Sequence, residues 1–213
     1  DDDRGRLAKH ATATHRRERL HAMLDLARSD PAVAIEPHQL DTDPFALNVE
    51  NGTVDLRTGE LRPHRREDLI TKLASVEYDA DARAPRFESF LDEIFGGDAD
   101  LIEWVQRWLG YCATGDTAEH VMPIFHGGGA NGKSVLLDAV CAVLGDYAGQ
   151  APPTLITRGR HDEHPTEIAD LRGKRLVVAS ETERGAELRL QRVKTLTGDA
   201  TIKARVMRGD WFE

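Results

Sequence analysis

The sequence predicts an α/β fold: a core with a central parallel sheet, preceded by a small mixed α+β region. Three observations support this prediction. A glycine-rich loop at residues 127–134 lies between a short apolar run and an apolar helical segment. A compact apolar strand follows at residues 175–180. Upstream of the loop, residues 45–62 alternate in polarity like strands, and two segments beyond them show helical spacing.

The glycine-rich loop reads GGGANGKS and fits the phosphate-binding pattern G-x-x-x-x-G-K-[ST]. Residues 121–125 (VMPIF) are predicted as a buried strand before it, and residues 135–144 as a helix after it. Glycines let backbone N–H groups converge on phosphate oxygens, and the helix N-terminus adds partial positive charge. The pattern therefore predicts that Lys133 contacts the β- and γ-phosphates of ATP and that the Ser134 hydroxyl ligates Mg²⁺. The residues predicted to bind the nucleotide are Gly127, Gly128, Gly129, Ala130, Asn131, Gly132, Lys133, Ser134 and Val135.

The strand at residues 175–180 ends in two carboxylates, Glu181 and Glu183. An ATPase needs a carboxylate beside the phosphate loop to hold Mg²⁺ through water, and a second group to polarise the attacking water. In one alignment Glu181 is on the metal side and Glu183 is the base. In the other, Ser180 is on the metal side and Glu181 is the base. A third interpretation makes both carboxylates surface caps of the next helix. The predicted catalytic residues are Lys133, Glu181 and Glu183, and the predicted metal ligands are Ser134 and Glu181.

The composition excludes several classes of protein. The net charge is −9, from 28 basic and 37 acidic residues, so a nucleic-acid contact must be local rather than spread over the surface. No apolar run is long enough to span a bilayer, and the first residues do not resemble a signal peptide. Cys112 and Cys141 fall on apolar helical faces, which predicts buried thiols rather than a disulfide or a metal site.

The pattern along the chain predicts three regions. Residues 1–39 contain an amphipathic helix (residues 10–28) and a linker. Residues 40–115 form an accessory domain, with a β-meander at 45–62 and a helical hairpin at 87–95 and 101–112. Residues 116–213 form an incomplete core. Packing is favoured over base stacking for Trp104 and Trp108, and a solvated loop is favoured over a metal site for residues 161–164.

Residues 201–207 (TIKARVM) alternate like a strand, with Thr201, Lys203 and Arg205 on one face. A turn at 208–210 would lead into a return strand at Trp211. A two-stranded ribbon with a cationic face suits contacts with single-stranded nucleic acid, so Lys203, Arg205 and Arg208 are predicted to bind DNA. An ordinary exposed hairpin is an equally good interpretation of these residues alone.

Three ordered segments resemble one known family: GGGANGKS, LRGKRLVVASETE (residues 171–183) and VKTLTGDATIKAR (residues 193–205). They are similar to the phage- and plasmid-encoded primase-helicases, relatives of the poxvirus primase-helicase within the superfamily 3 helicases. Residues 40–111 also resemble the accessory domain that precedes the helicase core in that family. This chain departs from the pattern at residues 197–199, where a single Gly198 stands in place of two glycines.

The resemblance implies an AAA+-like P-loop NTPase core that assembles as a homo-hexameric ring around single-stranded DNA, with ATP between subunits and a hairpin in the channel. It implies an ATP-dependent DNA helicase in phage or plasmid replication, in the cytoplasm of a bacterial host, with no membrane partner. Three features of the family would lie outside these 213 residues: the sensor residue, the arginine finger and any attached primase domain. Two alternatives remain: a small-molecule P-loop kinase or transferase, and a non-hydrolysing module that uses ATP for assembly.

Overall fold

A computed structural model describes residues 2–157, 165–179, 187–199, 201–206, 209 and 211–212. The chain divides into two compact units, Asp1–Leu40 and Asp41–Glu213. The helices are α1 (Asp2–Thr14), α2 (Arg17–Arg28), α3 (Pro85–Phe95), α4 (Ala99–Ala113), α5 (Lys133–Leu144), α6 (Pro165–Ala169) and α7 (Leu190–Gly198). The strands are β1 (Ala46–Val49), β2 (Gly52–Asp55), β3 (Glu60–Arg62), β4 (Ala148–Ala151), β5 (Leu176–Ala179), β6 (Ala204–Arg205) and β7 (Trp211–Phe212).

The N-terminal unit holds two helices where the sequence pattern predicts one over residues 10–28. Helix α1 ends at Thr14, and Arg16 adopts an extended backbone with φ −70° and ψ 137° before α2 begins. The amphipathic pattern of α2 is present, but none of its residues is buried. Its apolar stripe, which includes Leu20, Met23 and Leu24, is exposed. In the described part of the chain, no helix is both long and apolar enough to cross a membrane.

The predicted β-meander is confirmed as an antiparallel sheet in the order β1-β2-β3. The Asn51-Gly52 signal marks the first turn, because β1 ends at Val49 and β2 begins at Gly52. Residues 72–76 extend the sheet on the β1 side without forming a regular strand. The Ala74 amide donates to the Asn48 carbonyl at 2.8 Å.

The predicted helical hairpin is also confirmed, as α3 and α4. Asp98 caps α4 by accepting a hydrogen bond from the Leu101 amide at 3.0 Å. The two helices pack against α5, with Leu91, Val105 and Leu136 fully buried at the centre of the contact. The hairpin and α5 therefore share one hydrophobic core.

The second core joins the meander to the small parallel sheet formed by β4 and β5. Val49 and Val54 of the meander meet Leu144, Tyr147 and Leu176. Residues 41–213 are thus one compact unit, and the domain boundary expected near residue 115 stays a prediction.

Helix α5 is held closely at its C-terminal end. Gly145 has φ +54°, and a Cβ there would lie 2.6 Å from the Leu73 carbonyl oxygen and 2.7 Å from the Ser75 hydroxyl. The Asp146 amide donates to the same Leu73 carbonyl at 2.9 Å. Only glycine fits this position, because any side chain would collide with the backbone of the meander.

Arg175, just before β5, is a partly buried cation that contacts three elements. Its guanidinium donates to the Ala113 carbonyl at 2.6 Å and to the Ala46 carbonyl at 2.8 Å. It also lies over the Tyr147 ring, 4.3 Å from the ring centroid. Burial lowers the pKa of the Arg175 guanidinium from its ordinary value. The charge is therefore stabilised by carbonyl dipoles and an aromatic face.

One predicted element is absent from the described chain. Residues 121–125 do not form a strand, and Val121 and Ile124 are 52% and 67% exposed. Pro123 in the middle of this segment has no N–H to donate to a sheet. An apolar run becomes a strand only where a neighbouring strand accepts its hydrogen bonds, and no described residues pair with it.

Candidate phosphate-binding site

The glycine-rich loop wraps directly onto the N-terminus of α5. Gly132 is the N-cap of the helix, with φ +84°, and Ala130 also has a positive φ of 56°. The first-turn amides of such a helix have no acceptor within the helix. The helical hydrogen bonds of α5 begin at the Leu136 amide, which donates to the Gly132 carbonyl at 2.9 Å. The loop therefore presents amide donors and the positive end of a helix dipole at one place.

Lys133 folds back over the loop that precedes it. Its ammonium donates to the Asn131 side-chain oxygen at 2.7 Å, and to the Gly127 and Gly128 carbonyls at 3.4 Å each. The cation is thus held inside the curl of the loop by neutral oxygens. A phosphate oxygen would compete well for it, because hydrogen bonds between two ionised groups are stronger than those to neutral acceptors.

The loop rests on α3. A Cβ added to Gly132 would lie 2.5 Å from Ile94 Cγ2 and 3.3 Å from the Phe90 ring. Phe90 and Ile94 therefore set the position of the N-terminus of α5. The sequence pattern identified both as core residues of the hairpin but gave no signal that they support the loop.

The residues of the loop fit a polyphosphate and its metal ion. They supply first-turn amides, one ammonium at Lys133 and one hydroxyl at the exposed Ser134. Gly132 supplies the positive φ of 84° with which the loop enters α5. Mg²⁺ prefers oxygen ligands and keeps several waters, so a single hydroxyl together with phosphate oxygens is a sufficient protein contribution. The assignments of residues 127–135 to ATP and of Ser134 to Mg²⁺ stay predictions.

The predicted acidic half of the site lies outside the described residues. Ser180, Glu181 and Glu183 follow immediately after β5, which ends at Ala179. Strands β4 and β5 are parallel, with Ala151 paired to Ala179, so their carboxyl ends meet at one edge of the sheet. In open α/β sheets, ligands bind at this edge. The roles of Glu181 and Glu183 remain predictions, as does the choice between the alignments.

The structure describes the two short strands of the predicted cationic ribbon, β6 and β7. Arg205 of β6 pairs with Trp211 of β7, and Ala204 pairs with Phe212. Lys203 and Arg205 are exposed, whereas Ala204 is buried and β6 packs against α6. The expected alternation of faces is therefore observed at residues 203–205. Arg208 lies outside the described residues, as does the loop at residues 161–164.

Trp211, in strand β7 of the ribbon, is an exposed aromatic residue that the sequence pattern did not predict to bind DNA. The residue is 59% exposed, and the Arg205 guanidinium lies 5.1 Å from the centroid of its indole ring. The sequence identified Trp211 only as the start of a return strand. The available signal was its position, because the residue that directly follows the predicted turn at 208–210 lies across the ribbon from the cationic strand.

The other two tryptophans stack on each other on α4. Trp104 and Trp108 have nearly parallel rings with centroids 6.4 Å apart. The Trp108 ring also packs against the Phe125 ring, with 5.6 Å between their centroids. Packing among aromatic side chains, as predicted, accounts for Trp108.

Comparisons with known proteins indicate the same family that the sequence resembles. The family model described as "D5 N terminal like" matches residues 1–96. The chain is 28% identical over 184 residues to a protein named "Putative helicase" in Acanthamoeba polyphaga mimivirus, covering 82% of this chain and 19% of the viral protein. It is 28% identical over 174 residues to a protein named "Putative primase" in a tick isolate of African swine fever virus from Malawi, covering 78% of this chain and 18% of that protein. The Namibian warthog isolate gives 29% identity over 176 residues, with the same coverage.

The chain spans about a fifth of the length of the curated relatives it matches. The matches to the family model and to the viral proteins together confirm the resemblance to the poxvirus-like primase-helicase family.

Proposed function

We propose that this chain is the ATPase segment of a replication primase-helicase, which binds ATP and Mg²⁺ and unwinds DNA as a homo-hexameric ring. The observation that carries the proposal is the loop at residues 127–134, which curls around the Lys133 ammonium and opens onto the N-terminus of α5. The names of the viral relatives, helicase and primase, favour DNA replication over other uses of ATP.

In this proposal, each residue of the loop has a distinct task. The amides of residues 127–135 bind the phosphates, and Lys133 exchanges its neutral oxygen partners for the β- and γ-phosphates. Ser134 provides a ligand for Mg²⁺, which when bound neutralises charge that develops on the phosphates. Glu181, or Glu183 in the alternative alignment, orients the attacking water.

DNA contact is assigned to the cationic ribbon. The chain is acidic overall, so a local cationic surface is required for contact with phosphates. Arg205 of β6 and the preceding Lys203 are exposed, and Arg208 is assigned to the same contact from the sequence pattern alone. In a ring, these residues would face the strand that passes through the centre.

The test is ATP hydrolysis measured with and without a single-stranded oligonucleotide, in wild-type protein and in Lys133→Ala. We expect DNA to stimulate hydrolysis in the wild type, and Lys133→Ala to reduce turnover by more than about 100-fold, because phosphate-clamping groups typically contribute about 3 kcal/mol or more to catalysis. Lys174→Ala is the matched control, because the Lys174 ammonium donates to the Asp146 carbonyl, away from the loop.

The same assay separates the alternatives. ATP turnover without DNA stimulation, in a monomer or dimer that phosphorylates a small acceptor, would favour the kinase or transferase. Nucleotide binding and nucleotide-dependent assembly without turnover, measured by sedimentation, would favour the non-hydrolysing module. The helicase proposal fails if Lys133→Ala leaves both nucleotide affinity and turnover unchanged.

A further inference from the structure

The exposed face of the short ribbon formed by β6 and β7 carries an aromatic ring beside cations. Arg205 and Trp211 are directly paired across the two strands, so their side chains lie on the same face. Lys203 lies two residues before Arg205 and therefore shares that face. The opposite face is buried at Ala204, where the ribbon packs against α6.

Trp211 is exposed despite its large apolar side chain. It is 59% exposed although Arg205 lies 5.1 Å from its ring centroid. A cation–π pair of this kind restricts the orientation of the Trp211 ring before any ligand binds. The side chain therefore loses less conformational entropy when a ligand binds to it. The arrangement leaves a large, pre-oriented aromatic surface next to positive charge.

Single-stranded nucleic acids are bound by this combination of groups. Cationic side chains follow the phosphate backbone, and exposed aromatic rings stack on unpaired bases without regard to sequence. A duplex does not offer the faces of its bases, because neighbouring base pairs cover them. The chemistry of the face therefore matches an unpaired base with its phosphate.

We propose that Trp211 is a base-stacking residue, on which an unpaired base of a DNA strand stacks while Arg205 and Lys203 contact the adjacent phosphates. The inference rests on the proposed DNA-dependent function and adds to it a stacking contact and a preference for unpaired bases. It assigns Trp211 a role different from that of Trp104 and Trp108, which stack on each other.

The test uses the intrinsic fluorescence of Trp211 in a chain that carries Trp104→Phe and Trp108→Phe. We expect a 20-residue oligothymidylate to quench this emission. Duplex DNA of the same length and heparin, a polyanion without bases, should leave it largely unchanged. Quenching by heparin equal to that by the oligothymidylate would overturn stacking, because charge alone would then explain the signal.

Affinity measurements in the otherwise unchanged chain complete the test. Trp211→Ala should weaken binding of the oligothymidylate about tenfold, whereas Trp211→Phe should stay within about threefold of the wild type, because stacking on a base is worth about 1–3 kcal/mol. Trp211→Ala should leave the salt dependence unchanged, whereas Arg205→Ala should reduce its slope by about one phosphate contact. Equal losses in Trp211→Phe and Trp211→Ala would overturn the proposal, and thermal melting of each variant verifies folding.

The two proposals can fail separately. If the wild type binds oligothymidylate and shows DNA-stimulated turnover but Trp211 is not quenched, the stacking contact is wrong and the ATPase proposal stands. If the chain binds DNA with Trp211 quenched but has no affinity for ATP, the stacking contact stands and the ATPase proposal fails.

Discussion

The Lys133 ammonium lies 2.7 Å from the Asn131 side-chain oxygen, inside the curl of the glycine-rich loop. A Cβ at Gly127 would also meet the Asn131 amide nitrogen, so the Asn131 side chain occupies the inner side of the loop. If the loop binds a phosphate, as we propose, Asn131 would compete with it for the same cation.

This competition predicts opposite effects for two substitutions at Asn131. Asn131→Asp should weaken ATP binding more than about tenfold, because a carboxylate would pair with Lys133 and repel the triphosphate. Asn131→Ala should bind ATP at least as tightly as the wild type, because Lys133 then loses its nearest competing acceptor. Calorimetric titration with ATP measures both.

Ala139→Asp is the control, since it adds the same charge to an exposed position of α5, farther along the helix from the loop. Equal losses in Asn131→Asp and Ala139→Asp would contradict the local effect.

The contact between Gly132 and α3 predicts that a methyl group is not tolerated at the start of α5. Gly132→Ala should lower both ATP affinity and the free energy of unfolding, because φ is +84° and the Cβ would collide with Ile94. Ile94→Ala added to this variant should recover part of the loss, so the two changes are not additive. Urea titration measures the coupling.

Gly128→Ala, where a Cβ meets nothing within 4 Å, should leave the free energy of unfolding nearly unchanged. Full additivity of Gly132→Ala and Ile94→Ala would show that α3 does not position the loop.

The contacts of the partly buried Arg175 predict a large loss of stability on its removal. Arg175→Ala should lower the free energy of unfolding by about 3 kcal/mol, because two charge-assisted hydrogen bonds disappear and the Ala46 and Ala113 carbonyls lose a donor. Tyr147→Phe is the milder comparison. It keeps the ring under the guanidinium but loses the hydroxyl that accepts from the Asn48 amide, at a cost of about 1 kcal/mol. The assignment is wrong if Tyr147→Phe costs more than Arg175→Ala.

The ion pair between Arg57 and Asp43 predicts a weak acid dependence of stability. The hydrogen bond from Arg57 lowers the pKa of Asp43 below its ordinary value of 3.8. A carboxyl with a lowered folded-state pKa contributes stability above its unfolded pKa, and this contribution is lost as the pH falls through the folded value. Both side chains are about half exposed, so the contribution should stay below about 1 kcal/mol.

Asp43→Asn should remove that part of the acid dependence between pH 5 and pH 2, as measured by urea unfolding at each pH. An unchanged pH profile in Asp43→Asn would contradict the role of the pair.

Local signals made much of this fold predictable. The Asn51-Gly52 turn and the alternation around it gave β1 and β2, and the spacing of Phe87, Leu91 and Ile94 gave α3. The motif placed the start of α5 to within two residues: the helix predicted from residue 135 begins at Lys133, directly after the N-cap Gly132.

Other features were not predictable because they depend on partners distant in sequence. Strand β4 reads AGQA, a poor strand former, and it is a strand because β5 pairs with it. Residues 121–125 show the reverse case. Their apolar pattern is typical of a strand, but no described strand pairs with them. The roles of Arg175 and Ile94 arise from tertiary contacts, which produce no periodic pattern in the sequence.

Both ends of α5 are fixed, by Phe90 and Ile94 at Gly132 and by Leu73 and Ser75 at Gly145. A helix of 12 residues is about 18 Å long. Helix α5 therefore forms a rigid connection between the glycine-rich loop and the edge of the meander. Any ligand that immobilises the loop should then slow amide hydrogen exchange at Ala74, whose N–H is bonded to the Asn48 carbonyl far from the phosphates.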